Sequence, residues 1–300
     1  MARVLFFVHL PKCAGMSLTN ALLRHLPPEE VYQSTSLIAN LRRGAPDFME
    51  IAAPGRLRAL SGHWLHEAML PYLRGELRLA SALREPAARI RSQYRFDMTL
   101  RAGGWKPGTA EAFLARNRNV LCSFLVAPFP SLRREHGSVL DAAKAVLSGM
   151  DTVFDIEGAD AAQAALLEDL GIAAPELWRE NGSTGRGVDW PGDEASLRAA
   201  AGDDLALYDW FHEAKARTGA GGGALGPLAN PVFDPAARQR LEALRRLPHR
   251  PELLAEYLAG KLAREMQVEV ADADAMQARL YRRQIYARAL HDAFLATRRG

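Results

Sequence analysis

Lys12, Gly15 and Ser17 share one short segment that could bind an anion. A lysine supplies a mobile positive charge, a serine supplies a hydroxyl donor, and a glycine lets the backbone approach a ligand closely. The segment follows the apolar run Val4–Val8 and precedes an amphipathic stretch from about Leu18. If that stretch is a helix, its first N–H groups and its dipole also favour negative charge. The segment therefore predicts a binding site for a phosphate-like group.

A second set of polar residues, Arg84 and Ser92, follows another predicted strand, Leu77–Leu83, which is mainly apolar. Pro86 stands where a helix would begin, since proline has the φ of a first helical residue and no N–H to leave unpaired. In that helix Ser92 lies three residues beyond Arg89, on the same face. Because the forked guanidinium of arginine suits phosphate oxygens, we expect Arg84 and Ser92 to converge on one phosphate.

His63 ends a third apolar run, in the tripeptide Ser-Gly-His, and is a candidate general base. Histidine changes its protonation state near neutral pH, and a group that removes a proton during a reaction needs that property. Glu67 and His66 follow closely and are alternative bases. The spacing of these three residues is not that of a helical H-E-x-x-H zinc motif, and no clear further ligand accompanies them, so no metal is expected.

Apolar runs typical of buried strands alternate with segments of helical periodicity. The predicted strands are Val4–Val8, Val31–Ser36, Leu57–Gly62, Leu77–Leu83 and Thr152–Ile156. The predicted helices are 17–26, 87–100, 110–116, 140–147, 159–170 and 197–216, with a C-cap glycine at 171. This alternation is typical of an α/β fold with a parallel sheet, in which ligands bind at the carboxyl ends of the strands. All three polar sets follow such ends.

The composition limits the class of protein. With 48% hydrophobic and 24% charged residues in 300, the chain is an ordinary globular one. The formal charge of +3 is too small to indicate nucleic-acid binding. The two cysteines, Cys13 and Cys122, predict neither a disulfide framework nor a cysteine metal site. No secretory signal and no apolar run long enough to cross a membrane is evident, so we expect a cytoplasmic location without a transmembrane segment.

The first two polar segments resemble the phosphate-binding motifs of sulfotransferases that use 3′-phosphoadenosine-5′-phosphosulfate. The 5′-phosphosulfate loop of that family has the pattern F-[IV]-H-[IL]-P-K-x-[AG]-G-[ST]-[ST], which residues 7–17 match with a departure at Met16. The 3′-phosphate motif has the pattern L-R-[DE]-P-x-x-R-x-x-S-x-[YF], which is matched at Leu83, Arg84, Glu85, Pro86, Arg89, Ser92 and Tyr94. The motifs stand in the family's order, and the resemblance covers roughly residues 3–217.

The resemblance implies a P-loop-like three-layer α/β fold with a central parallel sheet and a C-terminal helical extension. It implies 3′-phosphoadenosine-5′-phosphosulfate as the cofactor, adenosine-3′,5′-bisphosphate as the product, and no metal. Residues of the turn, of the second motif and of a later polar loop would bind the cofactor, namely Lys12, Cys13, Ala14, Gly15, Met16, Ser17, Leu18, Arg84, Ser92, Asn181, Ser183 and Arg186. His63 and Lys12 would be catalytic, with Glu67 as the alternative base. The acceptor would be a hydroxyl-bearing carbohydrate, lipid or small metabolite, and the enzyme bacterial.

Composition divides the chain into three parts. We predict a sulfotransferase domain at 1–217, a glycine- and proline-rich linker at 218–234, and a helical C-terminal appendage at 235–300. Apolar residues at helical spacing predict helices at 235–247, 251–266 and 273–298 within the appendage. We expect these helices to pack either on the core or on a second copy of the chain in a homo-oligomer.

Two other functions stay open on the sequence alone. A nucleotide-dependent kinase would also bind phosphates after a strand, but here Lys12 precedes Gly15, in contrast to the G-x-x-x-x-G-K-[ST] loop. No carboxylate stands out as a magnesium ligand for such a kinase. A non-catalytic module that binds an adenosine phosphate would need the same anion site without an acceptor pocket.

Overall fold

Five apolar segments form the strands of one parallel sheet. The computed structural model describes residues 3–35, 37, 48–52, 55–101, 108–173, 189–219 and 226–269. The strands are Arg3–Val8 (β1), Val31–Ser34 (β2), Ala59–Gly62 (β3), Glu76–Leu83 (β4) and Thr152–Asp155 (β5). Their order in the sheet is β2-β3-β1-β4-β5, and every pairing is parallel. The predicted parallel α/β sheet is therefore confirmed.

Helices flank this sheet. Those that precede β5 are Gly15–His25 (α1), Phe48–Ala52 (α2), Pro86–Arg101 (α3), Ala110–Arg116 (α4), Val120–Val126 (α5), Pro130–Glu135 (α6) and Val139–Ser148 (α7). Those that follow β5 are Ala159–Asp169 (α8), Glu194–Ala201 (α9), Asp203–Gly219 (α10), Pro235–Ala243 (α11) and Pro251–Glu269 (α12). Short 3₁₀ helices occupy Pro28–Glu30, Glu67–Tyr72, Ile156–Gly158 and Leu244–Arg246.

The core lies on both faces of the two central strands. Val4–Val8 of β1 and Leu79–Leu83 of β4 are buried throughout, as expected where helices cover both faces of a parallel sheet. Crossovers between parallel strands are almost always right-handed. Because the crossover from β1 to β2 runs in the opposite direction to that from β4 to β5, the two crossovers place their helices on opposite faces. The three-layer arrangement follows.

The same topology creates a crevice at one edge of the sheet. From β1 the chain continues toward β2, at one end of the strand order. From the neighbouring strand β4 it continues toward β5, at the opposite end of that order. In α/β sheets a ligand site lies at the carboxyl ends of two strands whose connections diverge in this way. The turn after β1 holds Lys12, and the turn after β4 holds Arg84. The fold therefore brings the two predicted phosphate-binding segments to one crevice.

One predicted helix is divided in the structure. Residues 197–216 were expected to form a single helix, but α9 ends at Ala201 and α10 begins at Asp203. Gly202 between them has a φ of 58°, a conformation that glycine adopts at little cost. The backbone N–H of Asp203 donates to Asn119 Oδ1 at 2.7 Å. The chain therefore turns at Gly202 and ties the start of α10 to α5, while the expected C-cap at Gly171 is confirmed by its φ of 79°.

The described C-terminal residues pack on the sheet domain. Leu241, Leu244 and Leu254 belong to the same buried cluster as the strands. The Arg245 guanidinium donates to the carbonyl oxygens of Leu73 and Gly75, both at 2.9 Å. Packing on the core is thus observed for residues 226–269, whereas the predicted helix at 273–298 lies outside the described residues and packing on a second copy stays a prediction. In the described part of the chain, no helix combines the length and apolarity needed to cross a membrane.

Candidate active site

The turn after β1 has an unusual backbone. Lys12 and Ala14 adopt φ values of 65° and 61°, in the left-handed region that residues with a Cβ rarely occupy. Hydrogen bonds from the Cys13 N–H to the Leu10 carbonyl and from the Ser17 N–H to the Ala14 carbonyl, both at 3.3 Å, hold the turn. Strained backbone of this kind is concentrated at functional sites, so the turn is a candidate binding element in its own right.

The start of α1 is left open to a ligand. Ala14 precedes the helix and provides no side-chain cap, and the first turn of α1 contains no acidic residue. The first N–H groups of a helix have no partner within the helix and carry the positive end of its dipole. An anion at this end would therefore find backbone donors without a competing carboxylate from the first turn.

Gly15 is required at the first position of α1 because His9 packs against it. A Cβ built on Gly15 would overlap the imidazole ring of His9. His9 is buried, and its Nδ1 has no hydrogen-bond partner among the described residues. Burial, and next the proximity of His63 and Lys12, hold the pKa of His9 well below its ordinary value. The neutral ring therefore packs between the end of β1 and the start of α1 and holds them together.

Arg84 joins the turn after β4 to the turn after β1. Its Nη1 donates to the Lys12 carbonyl oxygen at 3.2 Å. The Lys12 ammonium in turn lies 4.2 Å from the ring centroid of Phe96 on α3. Within the described residues, neither Lys12 nor Arg84 forms an ion pair with a carboxylate. The crevice therefore holds two adjacent cationic side chains. Asp97 and Glu85 lie near enough to raise the pKa values of Lys12 and Arg84, respectively, but neither carboxylate forms an ion pair with them.

The electrostatics of the two cations agree with this geometry. Burial lowers the pKa of Lys12, and the nearby Arg84 lowers it further. Burial also lowers the pKa of Arg84. Repulsion from Arg95 and Arg91 lowers it further. Arg91 and Arg95 themselves pair with Glu194 and Asp189, so their charges are partly neutralised. An anion between Lys12 and Arg84 would relieve the repulsion between them.

The start of α3 differs from that of α1. The Glu85 carboxylate accepts from the Ala87 N–H at 3.2 Å and the Ala88 N–H at 2.6 Å, so the helix end is already capped. Arg89 is 1% exposed and donates to the carbonyl and side-chain oxygens of Asn117. Ser92 lies one turn further along α3 and is half-buried. A phosphate at this corner would therefore meet side chains rather than an open helix end, and Arg89 supports the helix from inside the core.

His63, at the end of β3, is held in one tautomer. Its Nδ1 lies 2.6 Å from the His9 carbonyl oxygen, and because a carbonyl only accepts, Nδ1 must carry the proton. The Nε2 lone pair is then free to accept a proton. Burial lowers the pKa of His63, and the hydrogen bond to His9 partly offsets this shift. The side chain is therefore a neutral base at pH 7.

The alternative bases at 66 and 67 are engaged in structural contacts. Glu67 is buried, and its carboxylate accepts from the Ser131 N–H at the start of α6 at 3.1 Å and from the Ser131 hydroxyl. His66 caps the following 3₁₀ helix, because its Nδ1 accepts from the Ala68 N–H at 3.1 Å. Burial, and next Lys261, lower the pKa of His66 to about 4. Of the three candidates, His63 is the one whose accepting atom is not used by these contacts.

The other predicted cofactor-binding residues differ in accessibility. Cys13 and Leu18 are buried, and burial raises the pKa of the Cys13 thiol to about 12, so it contributes only its backbone. Ala14, Met16 and Ser17 are half-buried along the turn and the first turn of α1. The predicted ligands Asn181, Ser183 and Arg186 lie outside the described residues. Their part in the site stays a prediction.

No family model matches the chain, and no curated protein matches it. The function must therefore be judged from the contacts in the crevice. Three elements meet there, the turns that follow β1, β3 and β4, and the backbone carbonyls of His9 and Lys12 connect them.

Sequence reasoning missed the contacts that join these turns. A main-chain carbonyl has no residue-type signal, so the hydrogen bonds to the carbonyls of His9 and Lys12 could not be read from the sequence.

Phe96, under the Lys12 ammonium, is 44% exposed. Its position on the helix of the second motif, two residues after Tyr94, was the available signal. An exposed aromatic beside a predicted cationic site is a reason to expect such a contact.

Proposed function

We propose that this protein transfers a sulfuryl group from 3′-phosphoadenosine-5′-phosphosulfate to the hydroxyl group of an acceptor. The observation that carries the proposal is the hydrogen bond from Arg84 to the Lys12 carbonyl. It makes two candidate anion-binding corners adjacent in one crevice, each with a cation that forms no ion pair with a carboxylate among the described residues. Such a pair of corners suits a ligand with two separate phosphate groups. The sulfate donor is such a ligand, with one phosphate at its 5′ position and one at its 3′ position.

The residues present suit the two ends of this donor. Lys12, the Ser17 hydroxyl and the open start of α1 would hold the 5′-phosphosulfate. Arg84 and Ser92 would hold the 3′-phosphate. The start of α3 is capped by Glu85, which leaves recognition at this corner to the guanidinium and the hydroxyl. When bound, the donor supplies the sulfuryl group and a phosphate as its leaving group.

Lys12 has the stabilising role in the transfer. In the reaction the acceptor oxygen forms a bond to sulfur while the bond from sulfur to the bridging oxygen breaks, and negative charge develops on that oxygen. The Lys12 ammonium and the N–H groups at the start of α1 would stabilise this charge without moving. The aromatic face of Phe96 limits the positions that the ammonium can take.

His63 has the role of general base. Its Nε2 would take the proton of the acceptor hydroxyl as the oxygen attacks sulfur. The His9 carbonyl fixes the ring by accepting from Nδ1, and it would stabilise the imidazolium that forms. His9 and Lys12 belong to the same turn, so the turn that binds the donor also orients the base.

Nucleotide binding and transfer test the proposal together. We expect adenosine-3′,5′-bisphosphate to raise the melting temperature, because a ligand that binds only the native state stabilises it. ATP with magnesium should stabilise the protein less. The protein with a labelled-sulfate donor should label hydroxyl compounds in a cell extract. Preference for ATP with magnesium would indicate a kinase, and bisphosphate binding without any transfer would indicate a binding module; either result contradicts the proposal.

A further inference from the structure

A surface of aromatic side chains with one lysine adjoins His63. We define the acceptor-side surface as Trp64, Phe124, Tyr257 and Lys261. The ring centroids of His63 and Phe124 lie 5.5 Å apart, and those of Trp64 and Phe124 lie 6.1 Å apart. His63 follows β3, whereas Arg84 follows β4 on the other side of β1. The surface therefore lies beside His63, the candidate general base, and away from the corner proposed for the 3′-phosphate.

The surface is built from three separate parts of the chain. Trp64 follows His63, and its backbone N–H donates to Ser34 Oγ at the end of β2 at 3.3 Å. Phe124 comes from α5. Tyr257 comes from α12, and its hydroxyl donates to the Leu65 carbonyl at 2.9 Å. Helix α12 is thus fixed to the segment that holds the base, although no sequence motif connects this C-terminal part of the chain with chemistry.

Lys261 gives the surface its charge. Its ammonium lies 4.7 Å from the ring centroid of Trp64 and 5.2 Å from that of Tyr257. Among the described residues no carboxylate forms an ion pair with Lys261, while Arg264 is near enough to repel it. Burial, and next this repulsion, lower the pKa of Lys261. A carboxylate or sulfate group at this position would be attracted by both cations.

All four side chains are partly exposed, so they can contact a ligand. Aromatic faces bind flat rings and the apolar faces of sugars, whereas a lone ammonium without a carboxylate partner binds an anion. We infer that the acceptor-side surface selects the acceptor, and that the acceptor is a ring-bearing hydroxyl compound with an anionic substituent. This inference rests on the proposed sulfuryl transfer. The ring would stack on Trp64 and the anionic group would pair with Lys261, while the hydroxyl faces His63.

Matched pairs of probes test the inference. The first pair is 4-nitrophenyl β-D-glucuronide and the corresponding glucoside, which differ in one carboxylate. The second pair is 4-hydroxyphenylacetate and its amide. Dissociation constants are measured by saturation-transfer NMR, with and without adenosine-3′,5′-bisphosphate. We expect the acid of each pair to bind about fivefold tighter than its neutral partner, as one partly exposed ion pair allows.

Substitutions then locate the effect. Lys261→Gln should abolish the preference for the acids. Trp64→Leu should weaken the binding of both members of a pair equally. Lys144→Gln is the matched control, because the Lys144 ammonium also lies over a tryptophan, at 5.6 Å from the Trp210 ring centroid, but is not part of the acceptor-side surface. It should leave the preference unchanged. Equal binding of acids and neutral partners, binding of neither, or a preference that survives Lys261→Gln would overturn the inference.

The bisphosphate separates the two proposals. Lys261→Gln should keep the thermal stabilisation by adenosine-3′,5′-bisphosphate, since Lys261 is placed outside the donor site. If the bisphosphate binds and the acids show no preference, the inference fails and the proposed function stands. If the bisphosphate does not bind, the proposed function fails, and the inference that this surface selects a sulfuryl acceptor fails with it.

Discussion

The Nδ1 atom of His63 lies 2.6 Å from the His9 carbonyl oxygen, and this contact joins the end of β3 to the turn after β1. The same turn presents the Lys12 carbonyl to Arg84 at 3.2 Å. Two consecutive parts of one turn thus fix a candidate base on one side and a candidate phosphate ligand on the other. Both contacts use the main chain, so they depend on the backbone conformation of the turn rather than on the side chains at 9 and 12.

Replacement of His63 tests its assignment as the base. His63→Gln keeps a polar side chain but cannot accept a proton at neutral pH, so we expect the transfer rate to fall about 10²- to 10⁴-fold. Affinity for adenosine-3′,5′-bisphosphate should not change. His25→Gln, at an exposed position near the end of α1, is the control and should retain full activity. An active His63→Gln variant would show that another group removes the proton.

The pH dependence of transfer should carry the signature of a half-buried histidine with a lowered pKa. The base must be neutral to act, and burial lowers the pKa of His63 from 6.5. The rate should therefore stay constant as the pH falls to about 6.5 and decline only below it. A profile of kcat/KM against pH measures the midpoint of this decline. A midpoint above 6.5 would contradict the assignment.

His66 should make the fold sensitive to acid. Its pKa is about 4 in the folded state and near 6.5 when unfolded. The unfolded state therefore binds more protons in this range, and stability that is fully present above pH 6.5 is lost as the pH falls toward 4. At about pH 5 this loss is about 2 kcal/mol.

His66→Asn tests this linkage, because asparagine can still cap the following 3₁₀ helix but does not titrate. Urea unfolding at about pH 7.5 and about pH 5 should show a smaller decrease in the free energy of unfolding for the variant than for the wild type. His9 and His63 would produce the remaining decrease in both proteins, since burial also lowers their pKa values. An equal decrease in the two proteins would count against the neutral, buried state of His66.

The close contact between Gly15 and His9 predicts a specific loss. Gly15→Ala would force its new methyl group into the His9 ring, which should lower the free energy of unfolding by about 1–3 kcal/mol. It should also weaken bisphosphate binding, because the start of α1 would shift. Gly137→Ala is the matched control, since nothing lies within 4 Å of a Cβ at that position. Equal stability of the two variants would show that the end of β1 can move aside.

The sequence was sufficient to predict the sheet and the sides of the crevice. The segments 4–8 and 79–83 are largely apolar because both strands are covered on both faces there. The polar residues that follow them had to lie at one edge because the strands are parallel. Lys12, His63 and Arg84 were therefore predictable as neighbours from local pattern alone.

The remaining features depend on contacts between distant segments. The division of a predicted helix at Gly202 depends on Asn119, which accepts from the following residue. The engagement of Glu67 depends on Ser131, which is remote in sequence. Lys261 reaches Trp64 because α12 docks on the segment after β3. None of these pairs has a periodicity or spacing that local sequence reasoning could use.

In the proposed function, the turns after β1 and β4 bind the two ends of one nucleotide. Isothermal titration of adenosine-3′,5′-bisphosphate, adenosine-5′-phosphate and adenosine-3′-phosphate tests it in the wild type and in the variants Lys12→Gln and Arg84→Gln. Arg74→Gln, at an exposed position before the start of β4, is the control.

We predict that Arg84→Gln lowers the affinity for the bisphosphate and the 3′-phosphate about 10- to 100-fold, the usual effect of losing a hydrogen bond to a charged group. It should leave binding of adenosine-5′-phosphate unchanged. Lys12→Gln should instead weaken binding of the bisphosphate and of adenosine-5′-phosphate and leave binding of adenosine-3′-phosphate unchanged. Uniform loss of all three ligands in both variants, or no binding of the bisphosphate to the wild type, would contradict the account.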